Sequence, residues 1–260
     1  MKLLDRLRND TPKPFLEHLE DLRWVFIKMA VALVVAMGFS LVFQKTLVRV
    51  LAAPLAKIDP ELISKLWDPS PVGPITIVFS MAFYAGIVFA FPLLLFFAAQ
   101  FIVPALSQKE KKVIIPAILA SFMLFASGVI ICYYFILPGA LKFLYAYSKS
   151  LQFTPNWTVR EYFSFASQML LCVGAAFQLP VIVLTLVYVR VLSVARLRST
   201  RPYAYVLILL MAAIIAPTPD PITFLSLGIP LCLIYEACIW MAWLLEKRRA
   251  TPTPLPDSHS

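Results

Sequence analysis

The chain has 260 residues, of which 61% are hydrophobic and only 14% are charged. Soluble globular domains carry about 25% charged residues, so this balance excludes an ordinary soluble domain and indicates a membrane protein. A net charge of +9 favours nucleic acid as a partner in soluble proteins, but in a membrane protein the positions of the charges matter more, and we expect no nucleic-acid partner.

A charged segment, residues 1–23, precedes the first apolar run. Apolar residues recur there at helical spacing after Pro14, which predicts an amphipathic cytoplasmic helix that runs into the membrane. Local ion pairs explain its carboxylates in one interpretation, and an acidic docking site for a basic peptide explains them in the other. The polar residues concerned are Glu17, His18, Glu20, Asp21 and Arg23.

Six apolar runs follow and predict an all-α integral membrane protein with six transmembrane helices in one domain, residues 24–245. The fifth run has only 14 residues, whereas roughly 20 are needed to cross a hydrocarbon core of ~30 Å. Prolines within four runs predict bent helices and a cupped body, because each removes a backbone donor. The runs are 24–43, 75–101, 113–137, 162–189, 203–216 and 222–245, and the prolines are Pro92, Pro116, Pro180 and Pro230.

Lysine and arginine are distributed unequally between the two sets of connections. The set that includes both termini holds 15 of these residues and the other set holds 7, so the positive-inside rule predicts that both termini are cytoplasmic. Two outer connections, 44–74 and 138–161, are long enough for short helices. The proline-rich tail, 246–260, is expected to be disordered.

Among the polar residues of the predicted spans, Glu236 and Gln178 are the candidates for a functional role. Glu236 is near the middle of the sixth, where a charge costs about 2.5–3.5 kcal/mol, and Gln178 is deep in the fourth. Both have two interpretations, as hydrogen bonds that hold helices together or as functional groups. Asp220 is expected to cap the sixth helix, and Pro54 is assigned to a structural turn in the first outer loop.

Catalytic signatures are missing from the sequence. The two histidines, His18 and His259, stand at opposite ends of the chain, so an H-E-x-x-H site is excluded, and no G-x-S-x-G motif is present. The four cysteines lie inside apolar runs and are interpreted as core residues. We expect neither an enzyme nor a bound metal or cofactor.

Several short motifs, in their order on six spans, resemble the TatC family of twin-arginine translocase receptors. The first is His18-Leu19-Glu20-Asp21-Leu22-Arg23, and the others are Ala53-Pro54-Leu55, Phe101-Ile102-Val103-Pro104-Ala105-Leu106, Lys109-Glu110-Lys111-Lys112, Arg201-Pro202-Tyr203 and Pro217-Thr218-Pro219-Asp220. The resemblance implies a receptor for the Arg-Arg signal peptides of folded precursors. It also implies an oligomeric complex with the single-span subunits TatA and TatB among membrane lipids, driven by the proton-motive force.

The resemblance also assigns roles to individual residues. Asp21 and Glu110, assisted by Glu20, fall where the family recognises the two arginines, and Gln178 falls on its concave intramembrane face. The implied fold has short fifth and sixth spans. Asp21 replaces the usual Glu and so shortens the reach by one methylene, and the neutral Gln178 excludes a mechanism that needs a titrating carboxylate at that position.

Two functions of other classes stay open on the sequence. A small proton- or ion-coupled solute transporter would use Glu236 as its coupling site, although the chain has only seven glycines and shows no internal repeat. A membrane scaffold or insertase would use Gln178 and Glu236 as packing contacts. Dependence on an arginine pair separates the receptor from both.

Overall fold

The computed structural model describes residues 15–102, 108–153, 156–188, 192–215 and 221–250. The regular elements in these ranges are helices. One isolated parallel β-bridge, between Trp67 and Thr158, links two of the connecting segments. The helices are α1 (Phe15–Val42), α2 (Gln44–Ala56), α3 (Leu62–Lys65), α4 (Gly73–Ile102), α5 (Gln108–Ile131), a π-helical turn (Cys132–Ile136), α6 (Leu137–Ser150), α7 (Val159–Ala176), α8 (Leu179–Tyr188), α9 (Val194–Ser199), α10 (Arg201–Ile215) and α11 (Pro221–Ala250).

Four helical segments are long and apolar enough to cross a membrane: Glu20–Val42, Gly73–Phe101, Ile115–Ser150 and Val159–Tyr188. They correspond to the first four predicted runs, and helices are expected there because lipid offers backbone groups no hydrogen bonds. Two further apolar helical stretches, Arg201–Ala213 and Gly228–Leu244, are shorter. These stretches lie within α10 and α11, and α11 as a whole has 30 residues, so short fifth and sixth spans stay a prediction. Six crossings, the cupped shape and the orientation stay predictions.

The third span is longer than predicted. The predicted apolar run ends at residue 137, but the helical segment does not, since α5 continues through the π-helical turn into α6, which ends at Ser150. Pro138 lies in the first turn of α6, where a missing N–H is tolerated, so it does not stop the helix. The 36-residue segment Ile115–Ser150 is about 54 Å long and therefore exceeds the ~30 Å hydrocarbon core.

The two outer connections contain the short helices that we predicted, namely α2 and α3 in the first and most of α6 in the second. The assignment of Pro54 to a turn is wrong, because Pro54 is buried inside α2. Since proline has no N–H, the Val50 carbonyl loses its helical donor, and the Tyr133 hydroxyl donates to that carbonyl at 2.8 Å instead. Pro54 thus creates an acceptor that ties α2 to the π-helical turn.

The main core lies where α2, α6 and α7 meet. Leu55, Leu137 and Met169 are among its fully buried side chains, and the buried Tyr162 hydroxyl donates to the Leu51 carbonyl at 2.6 Å. Helix α7 begins with a capping box in which Thr158 and Glu161 bond each other's backbone N–H groups, which satisfies two donors at the helix end. These bonds anchor the outer connections to the helices.

A second link joins the outer connections to each other. The Tyr145 hydroxyl on α6 donates to Asp59 Oδ2 at 2.9 Å, and Asp59 lies between α2 and α3. The Glu61 backbone N–H, followed by the Tyr145 hydroxyl, holds the pKa of the Asp59 carboxyl below its usual range. The orientation of α6 about its own axis is therefore fixed by a specific partner.

All four cysteines are free thiols, and Cys132 and Cys238 are buried. This agrees with their interpretation as core residues.

Candidate functional site

The acidic segment forms the first two turns of α1, which is one continuous helix from Phe15 to Val42. Glu17, Glu20 and Asp21 are spaced i, i+3 and i+4, so the helix carries them on one face. Glu20 is exposed and Asp21 is half-buried. The side chains of Glu17 and His18 lie outside the part of the chain that the structure describes. Carboxylates in a first turn also favour the helix dipole, which keeps the local interpretation open.

Helices α1 and α4 pack antiparallel. Leu41 and Gln44 share a cavity wall with Ile75, near the start of α4, whereas Met37 contacts Gly86 further along it. The later residues of α1 thus lie beside the earlier residues of α4, and the two helices run in opposite directions. The start of α1, with Asp21, therefore lies at the same end of the helix pair as the end of α4 at Ile102.

Helix α5 begins at Gln108, six residues after α4 ends, so the backbone of Glu110 lies in its first turn, close to that same end. The side chain of Glu110 is outside the described residues. Two chain segments far apart in sequence thus bring acidic residues to one end of the molecule. Carboxylates from two elements suit a pair of planar guanidinium groups, because each guanidinium can donate two parallel hydrogen bonds to one carboxylate.

Gln178 lies at a break in the fourth apolar segment, between the end of α7 at Ala176 and the start of α8 at Leu179. The break precedes Pro180, as expected from its missing donor. Gln178 Nε2 donates to the Ser121 carbonyl on α5 at 3.0 Å. This bond directly supports the interpretation of Gln178 as a link between helices, and its functional role stays a prediction. Helices α4, α5 and α11 continue through Pro92, Pro116 and Pro230.

Glu236 on α11 is paired across to α10. Its carboxylate lies 3.0 Å from Arg201 Nη2 and also accepts from the Tyr205 hydroxyl. We did not foresee these partners, although Arg201 and Tyr205 are spaced i, i+4 at the start of α10 and so share a face. The pair compensates the charge of Glu236 and accounts for it as a structural link, which weakens the transporter interpretation.

Arg201→Gln is expected to destabilise the protein by about 1–3 kcal/mol, because it leaves the half-buried Glu236 carboxylate without its counter-charge. The double variant Arg201→Gln with Glu236→Gln removes both charges and is expected to recover most of the loss. Denaturant unfolding of the purified protein in detergent measures both. Equal destabilisation by the single and double variants would show that the ion pair between Arg201 and Glu236 does not stabilise the packing of α10 on α11.

Asp220, the expected cap of the sixth helix, lies outside the described residues. Helix α11 begins at the next residue, Pro221, so the capping role stays a prediction.

Comparison with known proteins identifies the family. The model of TatC, the Sec-independent protein translocase protein, matches residues 17–230. The TatC protein of Aquifex aeolicus is 34% identical over 237 residues, which cover 91% of this chain and 97% of that relative. The TatC protein of Akkermansia muciniphila is 42% identical over 173 residues, 66% of this chain, and the match spans only half the length of that relative.

Solved structures agree with the sequence relatives. A crystal structure of the twin-arginine translocase receptor TatC has a TM-score of 0.80 and 35% sequence identity, covering 88% of this chain and 99% of that one. A second crystal structure of that receptor, in the detergent DDM, has a TM-score of 0.78 and 33% identity. The family match spans most of the residues discussed above, from Glu17 to Pro230. The chain therefore belongs to the TatC family of Sec-independent protein translocase proteins.

Proposed function

We propose that this protein is the receptor subunit of a twin-arginine translocase and binds the Arg-Arg signal peptides of folded precursor proteins. The observation that carries the proposal is the antiparallel packing of α1 on α4, which puts the Asp21 end of α1 at the same end of the helix pair as Ile102, eight residues before Glu110. Crystal structures of similar proteins are described as twin-arginine translocase receptors.

In the proposed mechanism Asp21 and Glu110, assisted by Glu20, pair with the two guanidinium groups. The exposed Glu20 and half-buried Asp21 allow a peptide to reach them from solvent. Guanidinium recognition is favoured over ammonium because its planar fork forms two parallel hydrogen bonds with one carboxylate. The apolar part of the signal peptide then lies along the helices near Gln178.

The proposal includes a membrane arrangement. The protein crosses the bacterial inner membrane six times with both termini in the cytoplasm, the fifth and sixth crossings being made by the shorter apolar helices of α10 and α11. The acidic end of α1 then faces the compartment in which precursors fold. The receptor assembles with TatA- and TatB-type single-span subunits, and the proton-motive force drives transport.

Site-specific photocrosslinking to a precursor tests the proposal. A photoreactive residue at Trp24, which is exposed one turn after Glu20, is expected to crosslink to an Arg-Arg signal peptide. A Lys-Lys peptide of equal charge is expected to lose most of the crosslink, because an ammonium group cannot make the bidentate pair. The measurement is the crosslinked fraction in membranes that contain the full chain.

The matched control places the same photoreactive group at Phe153, which is also exposed but follows α6 on the proposed outer side. We expect no crosslink there. Equal crosslinking of the Arg-Arg and Lys-Lys peptides at Trp24 would contradict specific recognition, and absence of both crosslinks would make Glu236 and the transporter hypothesis the next to test.

A further inference from the structure

A cavity of about 330 Å³ lies where α9, α10 and α11 meet. Two guanidinium groups from different helices and two indole rings from α11 line it. The lining residues are Arg198, Arg201, Ile239, Trp240 and Trp243. Cationic groups beside tryptophans at the end of an apolar helix are typical of the membrane–water interface, where lipid phosphates lie.

The charge around the cavity is positive. Glu236 offsets the charge of Arg201, and Arg198 adds a further positive charge to the wall. The ammonium of Lys247 lies 5.2 Å from the centre of the Trp243 ring, and Arg196 on α9 is exposed nearby. Glu246 is the one further carboxylate on the described part of this end of α11, and it is exposed to solvent.

One donor of Arg201 has no partner among the residues that the structure describes. Its Nη2 bonds Glu236, but its Nε is buried and has no hydrogen-bond partner among the described residues. A buried N–H without an acceptor costs free energy, so native structures rarely leave one unpaired. Arg201 also lines the cavity, where its guanidinium group can donate to a bound anionic oxygen.

The cavity continues into an apolar surface along α11. Ile229, Leu233, Trp240 and Leu244 are all large, apolar and 49–65% exposed. Their spacings of four, seven and four residues put them on one helix face. Trp240 belongs to both this stripe and the cavity wall. A ligand that combines an anionic head with a long apolar chain fits the two surfaces together, whereas an inorganic anion uses only the cavity.

We infer that this cavity is a binding site for an anionic phospholipid, whose headgroup phosphate pairs with Arg198 and Arg201 and whose acyl chain follows the Ile229–Leu244 stripe. Basic pockets between membrane helices bind phosphate headgroups by the same chemistry. The inference goes beyond signal-peptide recognition and requires only that the protein lies in a membrane. With the orientation proposed above, the lipid belongs to the cytoplasmic leaflet.

Native mass spectrometry of the full chain tests the site. The protein is released from bilayers that contain equal amounts of phosphatidylglycerol and phosphatidylcholine, and the retained lipids are counted. We expect selective retention of phosphatidylglycerol, and we expect Arg198→Gln to reduce it about tenfold, since a charge-assisted contact is lost. The matched control is Arg196→Gln, which removes a cation from the same helix but not from the cavity wall, and it is expected to change retention less than twofold.

Three results would overturn the inference. Equal loss in the two arginine variants would show only general charge attraction, and displacement of the lipid by inorganic phosphate would show a free-anion site. Equal retention of the two lipids, with a single-span partner helix crosslinking at Trp240 instead, would show that the stripe is a protein interface. Quenching of tryptophan fluorescence in the unmodified chain, stronger with brominated phosphatidylglycerol than with brominated phosphatidylcholine, gives a second readout that needs no variant; equal quenching would count against the site.

Discussion

Asp21→Asn combined with Glu110→Gln is expected to weaken binding of an Arg-Arg signal peptide by about 100-fold or more and to stop export of its precursor. Each substitution keeps the side-chain volume but removes a carboxylate charge, and a charge-assisted hydrogen bond contributes about 1.5–3 kcal/mol, roughly a factor of ten or more in affinity. Binding of a labelled signal peptide to the purified protein measures the affinity, and export of a reporter in cells measures function.

Two controls sharpen this test. Glu246→Gln removes an exposed carboxylate on α11, outside the proposed pocket, and is expected to leave signal-peptide affinity unchanged. Asp21→Glu lengthens the side chain by one methylene, keeps the charge and is expected to preserve binding. If the double variant binds the peptide as tightly as the unmodified protein, Asp21 and Glu110 do not form the arginine pocket and the assignment has to be abandoned.

Gly86→Val is expected to destabilise the protein by about 1–3 kcal/mol, as overpacked sites do. A Cβ at Gly86 would lie 2.9 Å from Met37 Cγ, 3.1 Å from Met37 N and 3.2 Å from its Cα. The side chain of Met37 can move, but its backbone cannot move without separating α1 from α4. Small residues permit such close approach of membrane helices. Denaturant unfolding in detergent measures the loss.

Gly38→Val is the matched control, because a Cβ at Gly38 would have no atom within 4 Å. Both glycines lie inside long apolar helices, so the change in helix propensity is similar and only the neighbouring backbone differs. Gly86→Val is also expected to weaken signal-peptide binding, since it displaces the end of α1 that carries Asp21. Equal destabilisation by both variants would show that helix propensity, and not the α1–α4 contact, is responsible.

Much of the helical framework was predictable, because a charge-free apolar run in lipid has little alternative to a helix. The second run, 75–101, differs from α4, Gly73–Ile102, by only three residues in total. The sequence misled where an apolar run ends before the helix that contains it. The third helical segment continues past Pro138, beyond the end of its apolar run, because hydropathy reports contact with lipid and not backbone hydrogen bonding. The start of α1 at Phe15, inside the charged segment, agrees with the helix predicted after Pro14.

The candidate site was less predictable from local patterns. Glu17, Glu20 and Asp21 share a helix face by spacing alone, but only the family resemblance connected them to Glu110, since that relation depends on how α1 packs against α4. Arg201 and Tyr205 were missed as partners of Glu236 for the same reason: 35 and 31 residues separate them from it along the chain. Pairs of residues far apart in the chain depend on tertiary contacts, and the local spacing of apolar residues gives no information about those contacts.

The π-helical turn at Cys132–Ile136 has a consequence for the evolution of this chain. Such a turn holds one residue more than an α-helix accommodates in the same rise, so deleting a single residue there would restore regular helix. Because the extra residue is contained within the turn, this deletion would keep the downstream register and leave Tyr145 beside Asp59, whereas a deletion in the regular helix before Tyr145 would rotate that residue by about 100°. Natural single-residue deletions should therefore be tolerated better within this turn than in the regular helix on either side of it. A library of single-residue deletions across 126–144, scored by export, is expected to show its smallest loss of function within Cys132–Ile136.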